Sequence, residues 1–122
     1  MIGLNIMIVD DSLLAIRKMD AMLLKMGHYV RQTASNGAEA VEKYRQSMPD
    51  LVTMDVTMPE MDGIEATEKI IAEFPDAKII MVTSHGQEEM VRQALNAGAR
   101  GYVVKPVDPV VMAESIQRVF DI

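Results

Sequence analysis

The chain contains no cysteine, which excludes a disulfide framework, thiolate zinc sites and a cysteine nucleophile. It also has no apolar run that approaches the length of about 18 residues needed for a membrane-spanning helix. The first residues carry neither a basic leader nor a small-residue cleavage site, so we do not expect a signal peptide. Together these absences predict a soluble protein of the cytoplasm that does not enter a membrane.

Basic side chains are in the minority, since 12 Lys and Arg stand against 18 Asp and Glu and give a net charge of −6 at pH 7. Such a surface repels phosphate backbones and anionic lipid, so we expect no nucleic-acid binding by this domain alone. The 49% of hydrophobic residues and 25% of charged residues are typical of a globular protein and exclude disorder. No linker or low-complexity tract divides the 122 residues, which predicts one domain over residues 1–122.

Two hydrophobic periodicities alternate along the chain. Short apolar runs of strand length occupy residues 4–9, 29–33, 51–54, 78–82 and 102–104. Segments with apolar residues at helical spacing follow them, at about 13–26, 37–47, 64–74, 87–97 and from 109 onward. Ser12 and Asp108 are the predicted N-caps of the first and last helix. Strict alternation of five strands and five helices predicts an α/β fold, in which a parallel sheet carries helices on both faces.

Polar side chains stand where the predicted strands end. They are Asp10 and Asp11 after the first strand, Asp55 after the third, Thr83 after the fourth and Lys105 after the fifth. Ligands of open α/β sheets bind outside the carboxyl ends of the strands, so we expect these side chains along one edge. Any one of these carboxylates, taken alone, is explained without a functional role, as a solvated loop residue or a helix cap. Three together need compensation, because two carboxylates about 5 Å apart repel by roughly 3 kcal/mol.

This set of side chains suits phosphoryl chemistry. A hard divalent cation offsets the repulsion, and Mg²⁺ needs only one or two carboxylates, a carbonyl and waters. Lys105 offers a positive charge to a phosphoryl oxygen, and Thr83 offers a hydroxyl donor. Since aspartate serves as a covalent nucleophile in other proteins, the edge is equipped to accept a phosphoryl group on a carboxylate.

The motifs resemble the receiver domain of two-component response regulators. They are Ile-Val-Asp-Asp-Ser at 8–12, Met-Asp-Val-Thr-Met-Pro at 54–59 with Asp-Gly at 62–63, Val-Thr-Ser at 82–84 and Gly-Tyr-Val-Val-Lys-Pro at 101–106. The resemblance covers the whole chain in order and spacing, and it is strongest to the stand-alone chemotaxis response regulators. It implies the flavodoxin-like receiver fold, a doubly wound (βα)5 sheet with strand order 2-1-3-4-5.

The resemblance also implies the chemistry of the site. Asp55 would accept a phosphoryl group from a histidine kinase, and Lys105 would pair with that carboxylate or its phosphate. The implied Mg²⁺ ligands are the carboxylates of Asp10, Asp11 and Asp55 and the backbone carbonyl of Thr57. The peptide bond between Lys105 and Pro106 is expected to be cis, an expectation that comes from the resemblance alone because most X–Pro bonds are trans.

Further residues are implied to transmit or time the signal. Thr83 would swing toward the phosphate, and Tyr102 would follow it inward. Thr57 and His85 depart from common choices of the family at positions that flank the path of the attacking water, so they are candidate determinants of the phosphate lifetime. The face formed by the fourth helix, the fifth strand and the fifth helix would then dock an output partner.

The implied partners are a histidine kinase, an output protein such as the flagellar motor switch, and a phosphatase. The protein would catalyse its own phosphorylation and dephosphorylation without being a turnover enzyme. Most of the 12 methionines are expected to fill the core. Met58, Met61, Met90 and Met112 are expected to be partly exposed and to contribute an adaptable docking surface.

Three alternatives stay open. The chain is alternatively a receiver excised from a larger regulator with a DNA-binding output domain. A phosphohydrolase of the haloacid-dehalogenase type also uses a strand-end aspartate nucleophile, but it needs a cap domain or substrate pocket and a second aspartate where Thr57 stands. A receiver-like scaffold that is not phosphorylated usually lacks one of the acidic pair, the acceptor or the lysine, and all four are present here.

Overall fold

The structure is a computed structural model that describes residues 2–84 and 86–121. Strands and helices alternate along it. The strands are β1 (Asn5–Val9), β2 (Tyr29–Ala34), β3 (Leu51–Asp55), β4 (Ile79–Thr83) and β5 (Gly101–Val104). The helices are α1 (Leu13–Lys25), α2 (Gly37–Ser47), α3 (Gly63–Glu73), α4 (Glu88–Ala97) and α5 (Pro109–Phe120).

The strands form one parallel sheet in the order β2-β1-β3-β4-β5. This finding confirms the predicted α/β class and strand order. The register aligns Asp55 with Val82 on β4 and Thr83 with Val104 on β5. Because parallel strands share one direction, the residues that end them meet at a single carboxyl edge, as the sequence predicted.

Both faces of the sheet are buried, and successive strand residues point into two different cores. Met7 and Val9 of β1 join one core, whereas Ile6 and Ile8 join the other. The first core packs against α2, α3 and α4, and the second packs against α1 and α5. Residues on both faces of the central strands are therefore apolar, and for this reason the strands correspond to continuous apolar runs in the sequence. A fully buried aliphatic side chain such as Leu23 contributes roughly 1.5–3 kcal/mol to folding.

Four helices begin at a side chain that accepts a backbone N–H of the first turn. These N-caps are Ser12 of α1, Asn36 of α2, Asp62 of α3 and Asp108 of α5. Helix α4 differs, since no described side chain caps it at Gln87, and Ala94 is the only one of its residues that is buried. Uncapped N–H groups and little buried apolar surface make α4 the helix that is easiest to displace.

The prediction of four partly exposed methionines is half wrong. Met58 and Met112 are buried, at 8% and 0% exposed, whereas Met61 and Met90 are half-buried. Met112 lies on the inner side of α5 at helical spacing with Ile116, so it packs into the second core. Within the ranges that the structure describes, no helix has both the length and the hydropathy to cross a membrane.

Candidate functional site

Three carboxylates meet at the carboxyl edge of the sheet. Asp55 is the last residue of β3, and Asp10 directly follows β1. Both are buried, whereas Asp11 is exposed. One carboxylate oxygen from each of the three lies within 4.8 Å of the other two. The structure therefore brings together the acidic residues that the sequence placed at neighbouring strand ends.

Lys105 reaches two of these carboxylates. Its Nζ donates a hydrogen bond of 2.8 Å to Asp10 Oδ2 and lies 3.7 Å from Asp55 Oδ1. The lysine was expected to pair with Asp55, but in this state its shorter contact is with Asp10. It bridges the pair because Lys105 directly follows the end of β5, and its long side chain crosses the edge toward β1 and β3. The bond between Lys105 and Pro106 is cis, as the resemblance implied.

Burial and crowding govern the ionisation of these groups. Burial, together with the negative charge of Asp10, raises the pKa of Asp55 from 3.8 to about 6, although the charge of Lys105 acts in the opposite direction. Burial alone would lower the pKa of Lys105, but its hydrogen bond to Asp10 and the charge of Asp55 outweigh that effect and raise it. At neutral pH Asp55 is thus mainly ionised, and its charge is held in an unfavourable environment.

The donor set fits a hard divalent cation. Three carboxylates and a single ammonium leave two negative charges uncompensated when all are ionised, and carboxylate oxygens are the ligands that Mg²⁺ prefers. Thr57 lies two residues after Asp55 in the loop between β3 and α3, and its side chain is exposed. The charge balance and the oxygen ligands therefore agree with a divalent metal at this edge.

Gly63 supports Asp55 in a way that the sequence did not reveal. A Cβ atom on Gly63 would collide with the backbone carbonyl of Asp55, so only glycine allows α3 to begin this close to the end of β3. The N–H of Gly63 donates to the carbonyl of Val56 at 2.8 Å, and Asp62 caps the same helix. Asp62 and Gly63 belong to the motif that carries the resemblance, but the contact of Gly63 with the Asp55 carbonyl arises only in the folded chain.

The sequence analysis placed Thr83 after the fourth strand, but in the structure Thr83 belongs to the sheet. It is the last residue of β4, is 1% exposed, and its carbonyl accepts the N–H of Lys105 at 2.7 Å. Ladder pairing thus extends one residue further than the apolar run, because threonine fits a strand as well as the valine before it. The Thr83 backbone is fixed by this pairing, so a change of contacts at this position must involve the side chain.

The Thr83 side chain connects the site to α4 and β5. Its Oγ1 donates to the sulfur of Met90 at 4.0 Å. Burial raises the pKa of Tyr102, which is half-buried, and a hydrogen bond with Thr83 opposes that rise. Thr83 and Tyr102 therefore interact directly, as their expected coupling requires. His85, the second expected lifetime residue, lies outside the described residues.

A cavity of about 650 Å³ adjoins the carboxylates. Side chains of α1 and of the segment after β5 line it, among them Leu14, Lys18, Met22, Lys105 and Val107. Asp10 forms part of the same wall, so the cavity connects with the acidic cluster. On α1, Leu13 and Leu14 are 61% and 63% exposed, which leaves an apolar surface beside the cavity.

Comparisons with known proteins agree with this geometry. Residues 6–117 match the response regulator receiver domain. The chain is 44% identical over 117 residues to the chemotaxis protein CheY of Thermotoga maritima, covering 96% of this chain and 98% of that protein. It is 46% identical over 114 residues to CheY of Bacillus subtilis, covering 93% of this chain and 95% of that protein.

Solved structures show the same likeness. A chain in the crystal structure of the CheX-CheY-BeF3-Mg²⁺ complex from Borrelia burgdorferi superimposes with a TM-score of 0.95 and 35% identity, over 99% of this chain and 92% of that one. The CheY4 protein of Vibrio cholerae gives a TM-score of 0.89 at 29% identity, over 97% and 99% of the two chains. Because the family match spans residues 6–117 and these relatives align over nearly their whole length, the chain belongs to the response regulator receiver domain family.

Proposed function

We propose that the protein is a phosphorylation-activated signalling switch that accepts a phosphoryl group from a histidine kinase on Asp55. The observation that carries this proposal is the buried Asp55 carboxylate, which lies 3.7 Å from the Lys105 ammonium and beside Asp10 and Asp11. Burial raises the reactivity of a carboxylate because fewer water molecules solvate its charge. The family and its chemotaxis relatives support a signalling role over a metabolic one.

Transfer from a phosphohistidine needs no proton donor on this protein when the second ring nitrogen of the donor is protonated, because neutral imidazole then leaves. A bond forms between an Asp55 oxygen and phosphorus while the bond between phosphorus and the imidazole nitrogen of the kinase breaks. The electron pair of the broken bond stays on the leaving imidazole. The ammonium of Lys105 stands between Asp10 and Asp55, where it donates charge-assisted hydrogen bonds to the oxygens of the incoming group.

We propose Mg²⁺ as the metal of this edge, held by the carboxylates of Asp10, Asp11 and Asp55 and by the Thr57 carbonyl. When bound, the ion supplies positive charge that offsets the crowded carboxylates and the transferred phosphoryl oxygens. The donor set of the edge supports this choice. The presence of BeF3 and Mg²⁺ in the similar Borrelia burgdorferi complex supports it further.

We assign the approach of the kinase to the surface formed by α1 and the cavity. The exposed leucines 13 and 14 provide apolar contact area next to the acidic cluster, and Lys18 adds a positive charge to the wall of the cavity. A partner that docks there can bring a phosphohistidine to Asp55 along the open edge of the sheet.

The response is expected on the surface of α4, β5 and α5, which we call the output face. Thr83 contacts both Met90 of α4 and Tyr102 of β5, so a new bond from Thr83 to a phosphoryl oxygen changes both contacts. One charge-assisted hydrogen bond is worth roughly 1.5–3 kcal/mol, which shifts a two-state population about tenfold to more than a hundredfold. The scant anchoring of α4 lowers the cost of that shift.

The output face is suited to docking another protein. Leu95, Val104, Val110 and Val111 are between 45% and 64% exposed on its elements. By similarity to chemotaxis proteins we propose an output partner such as the flagellar motor switch and a phosphatase that resets the signal. Thr57 and His85 are proposed to set the lifetime of the phosphoryl group.

The protein is proposed to act once per signalling cycle and not as a turnover enzyme. The haloacid-dehalogenase alternative loses support because Thr57 occupies the position of the second aspartate that such a hydrolase needs. The presence of Asp10, Asp11, Asp55 and Lys105 at one edge opposes a scaffold that is not phosphorylated. The cytoplasmic location stays a prediction of the sequence.

Phosphoryl transfer is tested by incubating the protein with Mg²⁺ and acetyl phosphate and measuring its intact mass. We expect one phosphoryl group on the wild type, loss of labelling without Mg²⁺, and no labelling of Asp55→Asn. Asp76→Asn is the matched control, because Asp76 is exposed in the turn before β4, at the opposite edge of the sheet. Equal labelling of Asp55→Asn and Asp76→Asn would refute the assignment of Asp55.

A further inference from the structure

Met90, the third residue of α4, contacts the Thr83 hydroxyl through its sulfur. Its side chain is half-buried and packs against the first core together with Tyr102. The distance of 4.0 Å between Thr83 Oγ1 and the Met90 sulfur is long, and a thioether is a weak acceptor. The contact with Met90 is therefore weak in this state, and the Thr83 side chain also forms a hydrogen bond with Tyr102.

Oxidation would change the strength of that contact. A peroxide transfers one oxygen atom to the thioether: the O–O bond breaks, an S–O bond forms, the sulfur loses two electrons and hydrogen peroxide leaves as water. The sulfoxide oxygen is a far better hydrogen-bond acceptor than sulfur. It also extends from the sulfur by one bond, which lets it close the long gap to the Thr83 hydroxyl.

We propose that Met90 is a redox modification site that sets the response of the switch. Its sulfoxide retains the Thr83 hydroxyl at α4 and so competes with the phosphoryl group on Asp55 for the same donor. The inference rests on the proposed function, since it requires that Thr83 bonds to the phosphoryl group. The modification is reversible, because methionine sulfoxide reductases restore the thioether.

The contact with the Thr83 hydroxyl distinguishes Met90 from the other described methionines, several of which are equally half-buried. Met54, Met81 and Met112 are fully buried, so peroxide reaches them only when the protein opens. Met48 is 57% exposed and will also be oxidised, but it ends α2 shortly before β3 begins, at the opposite edge of the sheet from Thr83. Replacement of Met48 is therefore a control for oxidation that does not touch the switch.

The experiment compares wild type, Met90→Leu and Met48→Leu before and after treatment with hydrogen peroxide. Peptide mass spectrometry locates the added oxygen, and NMR of Tyr102 follows activation during titration with beryllofluoride and Mg²⁺. In wild type and Met48→Leu, oxidation should raise the beryllofluoride concentration at half-activation roughly two- to tenfold, the effect of one neutral hydrogen bond. In Met90→Leu the treated and untreated midpoints should coincide, and reductase treatment of the wild type should restore the original value.

Two outcomes would overturn the proposal: an unmodified Met90 after Met48 is fully oxidised, or an equal peroxide effect in wild type and Met90→Leu. If Met90→Leu does not fold, Met90→Ile provides a second variant without a thioether. The chemical shift of the Thr83 methyl group gives an independent test. In the wild type without beryllofluoride, this shift must change on oxidation of Met90. Failure of the untreated wild type to respond to beryllofluoride would instead refute the proposed function.

Discussion

Replacing Asp55 with asparagine is expected to stabilise the metal-free protein at neutral pH and to have much less effect at pH 4. The Asp55 side chain is only 10% exposed, and burial followed by repulsion from Asp10 raises its pKa to about 6. Folding therefore works against ionisation of this group. Asparagine occupies nearly the same volume without the charge, so the variant avoids that cost.

The sign follows from proton linkage. Because the pKa of Asp55 is higher in the folded than in the unfolded protein, the folded state binds the proton more tightly, and the contribution of Asp55 to stability falls as the pH rises from about 4 to about 6. The shift from 3.8 to about 6 corresponds to an upper limit of about 3 kcal/mol above this range. The advantage of Asp55→Asn should thus grow between pH 4 and pH 7 and then stay constant.

Urea unfolding in the presence of EDTA measures this difference at pH 4, 5, 6 and 7. Asp76→Asn again serves as the control, since removal of an exposed charge should alter stability by less than about 0.5 kcal/mol at each pH. Saturating Mg²⁺ should then stabilise the wild type more than Asp55→Asn, because the variant lacks one carboxylate ligand. A stability difference between Asp55→Asn and wild type that does not change with pH would refute the assigned electrostatics of the site.

Three further predictions concern the metal, the packing and the acid limit of the fold. Asp11→Ala should weaken Mg²⁺ binding at least about tenfold in calorimetric titration, and an unchanged affinity would remove Asp11 from the ligand set. Gly63→Ala should destabilise the protein by about 2–4 kcal/mol in urea unfolding, since its Cβ collides with the Asp55 carbonyl; a loss below about 0.5 kcal/mol would contradict that contact. Burial lowers the pKa of His28, whose Nδ1 accepts the N–H of Leu4 at 3.3 Å, so the contribution of His28 to stability should fall as the pH drops below 6.5. The stability of the wild type minus that of His28→Asn should therefore decrease between pH 7 and pH 5, and a constant difference would argue against this role.

The order of elements was predictable because each kind of burial leaves its own pattern. Strands covered on both faces need apolar residues at every position, as in β1, and helices covered on one face need them at every third or fourth position. Element ends were less predictable. The sequence ended the fourth strand at Val82, whereas β4 includes Thr83, because ladder pairing depends on the neighbouring strand and not on hydropathy.

The residues of the site could be predicted, but not all of their contacts. Strand ends must converge in a parallel sheet, so the sequence positions of Asp10, Asp55 and Lys105 already implied a cluster. Which carboxylate binds Lys105 most closely depends on the path of a long flexible side chain, and that path is visible only in the structure. The collision that reserves position 63 for glycine likewise arises between segments that hydropathy cannot align.

The link from Asp55 to the output face is tested most directly by amide chemical shifts of the protein with Mg²⁺, before and after addition of beryllofluoride. We predict shifts around Asp10, Asp55 and Lys105 and equally clear shifts through α4 and β5, including Tyr102, with none of them in Asp55→Asn. The expected energy of roughly 1.5–3 kcal/mol is enough to move most molecules into the active state if the two states differ little in free energy at rest. Shifts confined to the edge that carries the three carboxylates, with residues 88–104 otherwise unchanged, would contradict the mechanism.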